Sequence, residues 1–167
     1  MDSAANDIAH KLVTTKVLIV DDEHTMRKVT RSLLQAIGIR SIYEANDGLS
    51  GLEAIRNLLP DIVIVDWEMP RLNGPEFVRT VRSPESFPVP NVPIVMLTGH
   101  GERSRVVEAI GLGVNEFLLK PVSTKALLSR LVSIVARPRP MVKRGNYYGP
   151  EPRPLPNERA ISNPAWF

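Results

Sequence analysis

The sequence predicts an α/β protein built on a doubly wound, five-stranded parallel sheet. Three observations carry the prediction. Short apolar runs without polar interruption recur ("KVLIV", "DIVIV", "PIVML"), as a strand buried on both faces requires. Stretches with apolar residues at helical spacing separate them. Parallel neighbours need a crossover, and the right-handed rule for crossovers wraps the helices over both faces.

In chain order, "KVLIVD" (16–21) reads as a buried first strand. Met26, Val29, Leu33 and Ile37 then recur at helical spacing, with Gly38 as the stop. "IRSIYEA" (39–45) alternates, so the second strand should be less buried on one face. Asp47 is a candidate N-cap for a helix carrying Leu52, Ile55, Leu58 and Leu59, ended by Pro60. "DIVIVD" (61–66) is a second continuous strand ending in an acid, and the loop "MPRLNG" leads to a short helix near 74–82. A proline-rich connection (Pro84, Pro88, Pro90, Pro93) reaches the strand "PIVMLT" (93–98). A helix near 103–112, the strand "NEFLLK" (115–120) and a helix over 123–136 with Leu127, Leu128, Leu131 and Val135 complete five βα units. The organisation expected is an N-terminal extension (1–15), one domain (16–136) and a Pro-rich basic tail (137–167).

The 167 residues suffice for one domain with a core. There is no cysteine, hence no disulfide framework or thiolate metal site. No apolar run reaches the ~18 residues of a membrane helix, and "MDSAANDIAHKL" lacks a signal-peptide core. These features lead to the expectation of a cytoplasmic protein. The net charge of +3 is uneven. The tail holds six bases and two acids, a net of +4, which leaves −1 for residues 1–136.

In doubly wound sheets, ligands bind beyond the carboxyl ends of the strands. Those ends carry Asp21 and Asp22, Asp66, Thr98, and Lys120 followed by Pro121. Adjacent carboxylates repel, so at a buried strand end they need a cation. Oxygen donors without His or Cys select Mg²⁺ or Mn²⁺ rather than zinc. A carboxylate beside a metal can act as a nucleophile toward phosphorus. A hydroxyl and an ammonium can then hold the phosphoryl oxygens.

The segments "LIVDDE" (18–23), "IVDWEMPRLNG" (64–74), "PIVMLTG" (93–99) and "FLLKP" (117–121) resemble, in order and spacing, the receiver domain of bacterial two-component response regulators. The resemblance covers residues 16 to about 136. It implies a flavodoxin-like fold with strand order 2-1-3-4-5. It makes Asp66 the phosphoacceptor. Asp22 would ligate Mg²⁺ directly, Asp21 through water, and Glu68 through its backbone carbonyl. Thr98 would be the switch hydroxyl, Lys120 the phosphate-sensing lysine, with a cis bond to Pro121, and Phe117 the aromatic switch. Glu68 and His100 would tune dephosphorylation; by itself His100 reads equally as a rim residue or a solvated loop histidine. Trp67 should be partly exposed beside the site.

The function implied is a stand-alone signalling switch, not an enzyme beyond its own phosphorylation and slow dephosphorylation. Its phosphoryl group would come from a histidine kinase or phosphotransfer protein. Phosphorylation would alter the face made by the helix near 103–112, the fifth strand and the last helix, for a downstream protein target or a relay. Other readings of the strand-end acids are an aspartyl-phosphate phosphatase of haloacid-dehalogenase type, a flavodoxin, and a phosphorylation-independent interaction module. Glu68 superficially fits the phosphatase's second acid, but "DWEMP" lacks the Asp, small residue and Thr that motif expects, and "DDEHT" would repel a flavin phosphate without metal.

The tail's seven prolines suggest an extended basic segment. Yet Tyr147, Tyr148, Trp166 and Phe167 are four of the chain's nine aromatics. A docking arm is expected, in cis, on a neighbouring chain, or on a kinase or target. Nucleic acid is a weaker partner for so sparse a set of bases, and no membrane contact is expected.

Overall fold

The structure, a computed structural model, describes residues 3–153. The order of elements is α1 (Ser3–Thr14), β1 (Lys16–Val20), α2 (His24–Ile37), β2 (Ser41–Ala45), α3 (Gly48–Leu58), β3 (Ile62–Asp66) and α4 (Gly74–Val81). Then follow β4 (Ile94–Thr98), α5 (Arg103–Leu112), β5 (Glu116–Leu119), α6 (Thr124–Ala136), β6 (Met141–Arg144) and β7 (Tyr147–Pro150). Strands β1 to β5 form one parallel sheet in the order β2-β1-β3-β4-β5, as the resemblance implied.

Strand alternation builds two cores from one apolar run. Leu18, Val20, Val63, Val65, Ile94, Met96 and Phe117 face a layer that includes Leu52 and Ile55 of α3, Phe77 of α4 and Val106 of α5. Their neighbours Val17, Ile19, Ile62, Ile64, Val95, Leu97 and Leu118 face Leu34 of α2 and Leu127 and Leu131 of α6. Both faces are covered, so successive side chains must all be apolar. Every residue of β3 and β4 is buried, whereas the edge strand β2 exposes Tyr43 and Glu44.

The local signals act as expected. Asp47 caps α3 by accepting from Ser50 N–H at 2.7 Å, and Asn73 caps α4 by accepting from Glu76 N–H at 2.9 Å. The left-handed Gly38 ends α2. No helix among the described residues is long and apolar enough to cross a membrane.

Two segments differ from expectation. The N-terminal extension is a helix, α1, whose Leu12 is buried in the second core beside α6. The spacing of Ile8 and Leu12 was its faint signal. The tail is not a uniformly extended arm. Strands β6 and β7 form an antiparallel hairpin around Gly145 and Asn146, a turn that favours glycine in its first position. Gly145 has φ +60°. The proline content drew attention away from the Gly-Asn turn between "MVKR" and "YYGP". Tyr147 and Tyr148 lie in β7, while Trp166 and Phe167 lie outside the described residues.

Candidate functional site

The carboxyl edge of the sheet gathers the site. Asp21 and Asp22 follow β1, Asp66 ends β3, Thr98 ends β4 and Lys120 follows β5. Parallel pairing puts all these ends on one rim. Asp21, Asp22 and Asp66 each offer an oxygen, and these oxygens lie within 4.8 Å of one another. Asp21 and Asp66 are only 2% and 4% exposed, whereas Asp22 is open to solvent.

Several contacts fix the rim. Asp21 Oδ1 accepts from Glu23 N–H at 2.9 Å, and Arg27 donates to the Asp21 carbonyl at 2.8 Å. Lys120 Nζ is 2.7 Å from Asp66 Oδ1. Among the described residues, the Lys120 ammonium is the one group set against that buried oxygen. Lys120 N–H donates to the Thr98 carbonyl at 2.7 Å, and the Lys120–Pro121 bond is cis. Thr98 is fully buried, and its Oγ1 accepts from His100 N–H at 3.1 Å.

Burial pushes the Asp21 carboxyl up to about 6, an effect reinforced by Asp66 and Asp22 and opposed by the Glu23 N–H and Lys120. Burial also raises Asp66, against the pull of Lys120. For both carboxylates the cost of burial outweighs the one nearby positive charge, Lys120. All-oxygen donors, three carboxylates offset by a single lysine, and one open side toward solvent suit a hard divalent cation.

Glu68 and His100 flank the opening. Glu68 Oε1 is 3.9 Å from His100 Nε2 and 3.5 Å from Arg105. His100 is half-exposed and also faces Glu102 at 3.7 Å, so it sits on the rim within an acidic surround. Trp67 departs from expectation because it is buried. The Arg105 guanidinium covers its ring at 4.5 Å, and α4 packs beneath. Sequence reading passed over Arg105 and Arg27, whose positions in helices have no spacing signature. Gly74 was read only as part of a loop. A Cβ there would stand 2.7 Å from the Asp66 carbonyl, so the loop can return over the acceptor only with glycine.

Phe117 is not on the rim. It lies on β5 opposite Met96, two pairs before the Thr98–Leu119 pair, on the same sheet face as Thr98. Its ring is buried with Val106 and Ala109 of α5.

Comparison with known proteins follows the same outline. Residues 17–132 match the family described as the response regulator receiver domain. Chemotaxis protein CheY-3 of Vibrio cholerae is 34% identical over 122 residues, 73% of this chain and 92% of that protein. Chemotaxis protein CheY of Pseudomonas aeruginosa is 34% identical over 73% of this chain and 97% of its own. Among solved structures, Vibrio cholerae chemotaxis protein CheY4 superposes with a TM-score of 0.64 at 31% identity, over 72% of this chain and 98% of that one. A putative response regulator from Chloroflexus aurantiacus gives 0.67 at 31% identity, over 74% and 98%. Helix α1 and the hairpin lie outside the matched residues.

Proposed function

Because this chain belongs to the response regulator receiver family, whose members signal by phosphorylation rather than as conventional enzymes, we propose that it is a cytoplasmic switch phosphorylated at Asp66. The haloacid-dehalogenase and flavodoxin readings fall with that assignment. The observation that carries the proposal is the buried Asp66 Oδ1, which faces Lys120 at 2.7 Å and shares the rim with two further acids.

Asp22, Asp66 and the Glu68 carbonyl would hold Mg²⁺, with Asp21 acting through water. When bound, the ion neutralises the acids and draws charge from the phosphoryl oxygens. An Asp66 oxygen attacks the phosphorus of a phosphohistidine on a kinase or phosphotransfer protein. The P–N bond breaks, the imidazole leaves with the electron pair and is then protonated, and an acyl phosphate remains on Asp66. Lys120 exchanges its carboxylate partner for a phosphoryl oxygen. Thr98 turns its hydroxyl to another, giving up the His100 N–H. Space vacated by Thr98 lets Phe117 turn inward, and the face formed by α5, β5 and α6 changes for a downstream protein target. Each state is favoured only by its differential affinity for ligand, so partner binding is graded.

The test is mass spectrometry of the wild type and Asp66→Asn after acetyl phosphate and Mg²⁺. The wild type should gain one phosphate, lost on removing Mg²⁺ from the reaction, and the variant none. A stable phosphate on Asp66→Asn would refute the assignment. An unmodified wild type would leave the phosphorylation-independent interaction module as the better reading.

A further inference from the structure

Residues 138–153 fold back as a strap across the face made by α5, β5 and α6. Its seat is built rather than incidental. Gly149 meets Gly113 backbone to backbone: a Cβ on Gly149 would stand 2.7 Å from the Gly113 Cα, and a Cβ on Gly113 would stand 2.6 Å from the Tyr148 carbonyl. Arg139 donates to the Asn115 carbonyl at 2.5 Å and, at 2.8 Å, to the Glu151 carbonyl, closing the strap on itself. Tyr148 donates to Asn91 Oδ1 at 2.5 Å. Arg153 pairs with Glu116, a carboxylate only 5% exposed.

Beneath the strap is a cavity of about 30 Å³, room for about one water. Val106, Ile110 and Phe117 form its floor, and Tyr147, Pro152 and Arg153 its roof. The strap thus closes over the aromatic ring expected to move with the switch. With the strap seated, the Phe117 ring lies covered beneath Tyr147 and Pro152. If it turns inward, the strap loses the apolar floor under Tyr147 and Pro152. Glu116 is not left unpaired when the strap lifts, because Arg130 pairs with it as well, at 3.6 Å. The strap is seated together with the Lys120–Asp66 contact and the bond from His100 N–H to Thr98, the two contacts that phosphorylation would have to break.

We propose that the strap is an intramolecular ligand of the α5–β5–α6 face which stabilises the unmodified state, and that phosphorylation loosens it through Phe117. The proposal rests on the assignment of Asp66 as phosphoacceptor. Linkage makes the effect reciprocal: what phosphorylation does to the strap, the strap does to phosphorylation. A partner reading this face competes with a segment of the same chain, whose effective concentration is high and constant.

The experiment titrates Mg²⁺ and beryllofluoride, a phosphoryl mimic, into the full chain carrying Trp166→Phe, with Trp67 emission as readout. Three variants unseat the strap by different means: Gly149→Val, Arg153→Ala, and truncation after Ala136. Thermal melting checks that each is folded. Each should bind beryllofluoride several-fold more tightly than the parent. In the parent, amide exchange over residues 139–153 should accelerate on saturation. Equal or weaker affinity in the folded variants, or a strap whose exchange is unchanged or slower, overturns the strap's role and leaves the Asp66 reading intact. If the parent takes up no beryllofluoride, both proposals fall.

Discussion

Asp21 and Asp66 are carboxylates placed where ionisation is costly, and the consequence is a pH dependence of opposite sign to ordinary acid unfolding. In metal-free protein the Asp21 carboxyl, pushed up to about 6, binds a proton between about pH 4 and 6 that the unfolded chain has released. Its contribution is full below the unfolded value and is lost as pH rises through 6. At 1.36 kcal/mol per pH unit, the loss is at most about 3 kcal/mol. Asp47, lowered by its bonds to Ser50, works the other way, so the measurement is a difference. With EDTA present, unfolding free energies of wild type and Asp21→Asn should diverge between pH 4 and 6, the wild type falling relative to the variant. Parallel curves would remove the claim. Millimolar Mg²⁺ should restore the wild type above pH 6. At the same scale, Glu68 and His100 stand at the opening of the site, 3.9 Å apart, and with Asp66 as the phosphoacceptor they would flank the approach of a water from solvent. The double variant Glu68→Asn, His100→Ala should lengthen the life of the acyl phosphate, on the order of tenfold, with Mg²⁺ affinity much less changed. Equal hydrolysis rates would argue against any tuning role.

Among the elements, the end of α4 is tied to its surroundings by one side chain. Arg82 is buried, and among the described residues no carboxylate pairs with it. It donates from Nε to the Gly113 carbonyl at 2.8 Å, from Nη1 to the carbonyls of Pro90 and Val92 at 2.6 and 2.8 Å, and from Nη2 to Asn115 Oδ1 at 2.9 Å. Burial pushes its guanidinium down to about 10, which still leaves it charged at neutral pH. The fork thus binds together α4, the proline-rich connection and the turn from α5 to β5, on which the strap sits. A lysine offers a point charge and cannot span four acceptors. Arg82→Lys should lower stability on the order of 3 kcal/mol, because carbonyls are left buried and unpaired. Urea unfolding would show a lower midpoint at an unchanged slope. A loss within about 0.5 kcal/mol, the range of an ordinary surface change, would contradict this account.

At the scale of the whole molecule, the sheet separates two jobs. Its carboxyl edge gathers the candidate site, and its β5 side carries the face proposed to respond. Helix α1 extends the layer of α2 and α6 by burying Leu12, and the strap covers the opposite side of β5, against α5. Both additions lie outside residues 17–132. The matched receiver domain thus carries an extra helix on one layer and a cover over the face proposed to signal.

The sequence by itself determined the five βα units, because continuous apolar runs admit only a sheet covered on both faces, and strand-end acids mark which edge carries the chemistry. It also named Asp21, Asp22, Asp66, Thr98 and Lys120, since each sits one or two residues from a strand whose end is legible. The burial of Trp67 was decided in space, by Arg105, a residue 38 positions away that no local pattern joins to it. The four acceptors of Arg82 likewise come from two distant segments, 90–92 and 113–115. The hairpin's own turn was written locally as Gly145 and Asn146, but its place was not. The seat on Gly113, Asn115 and Glu116 exists only once β5 has been laid beside β4, because long-range contacts depend on the assembled surface rather than on any segment's own periodicity.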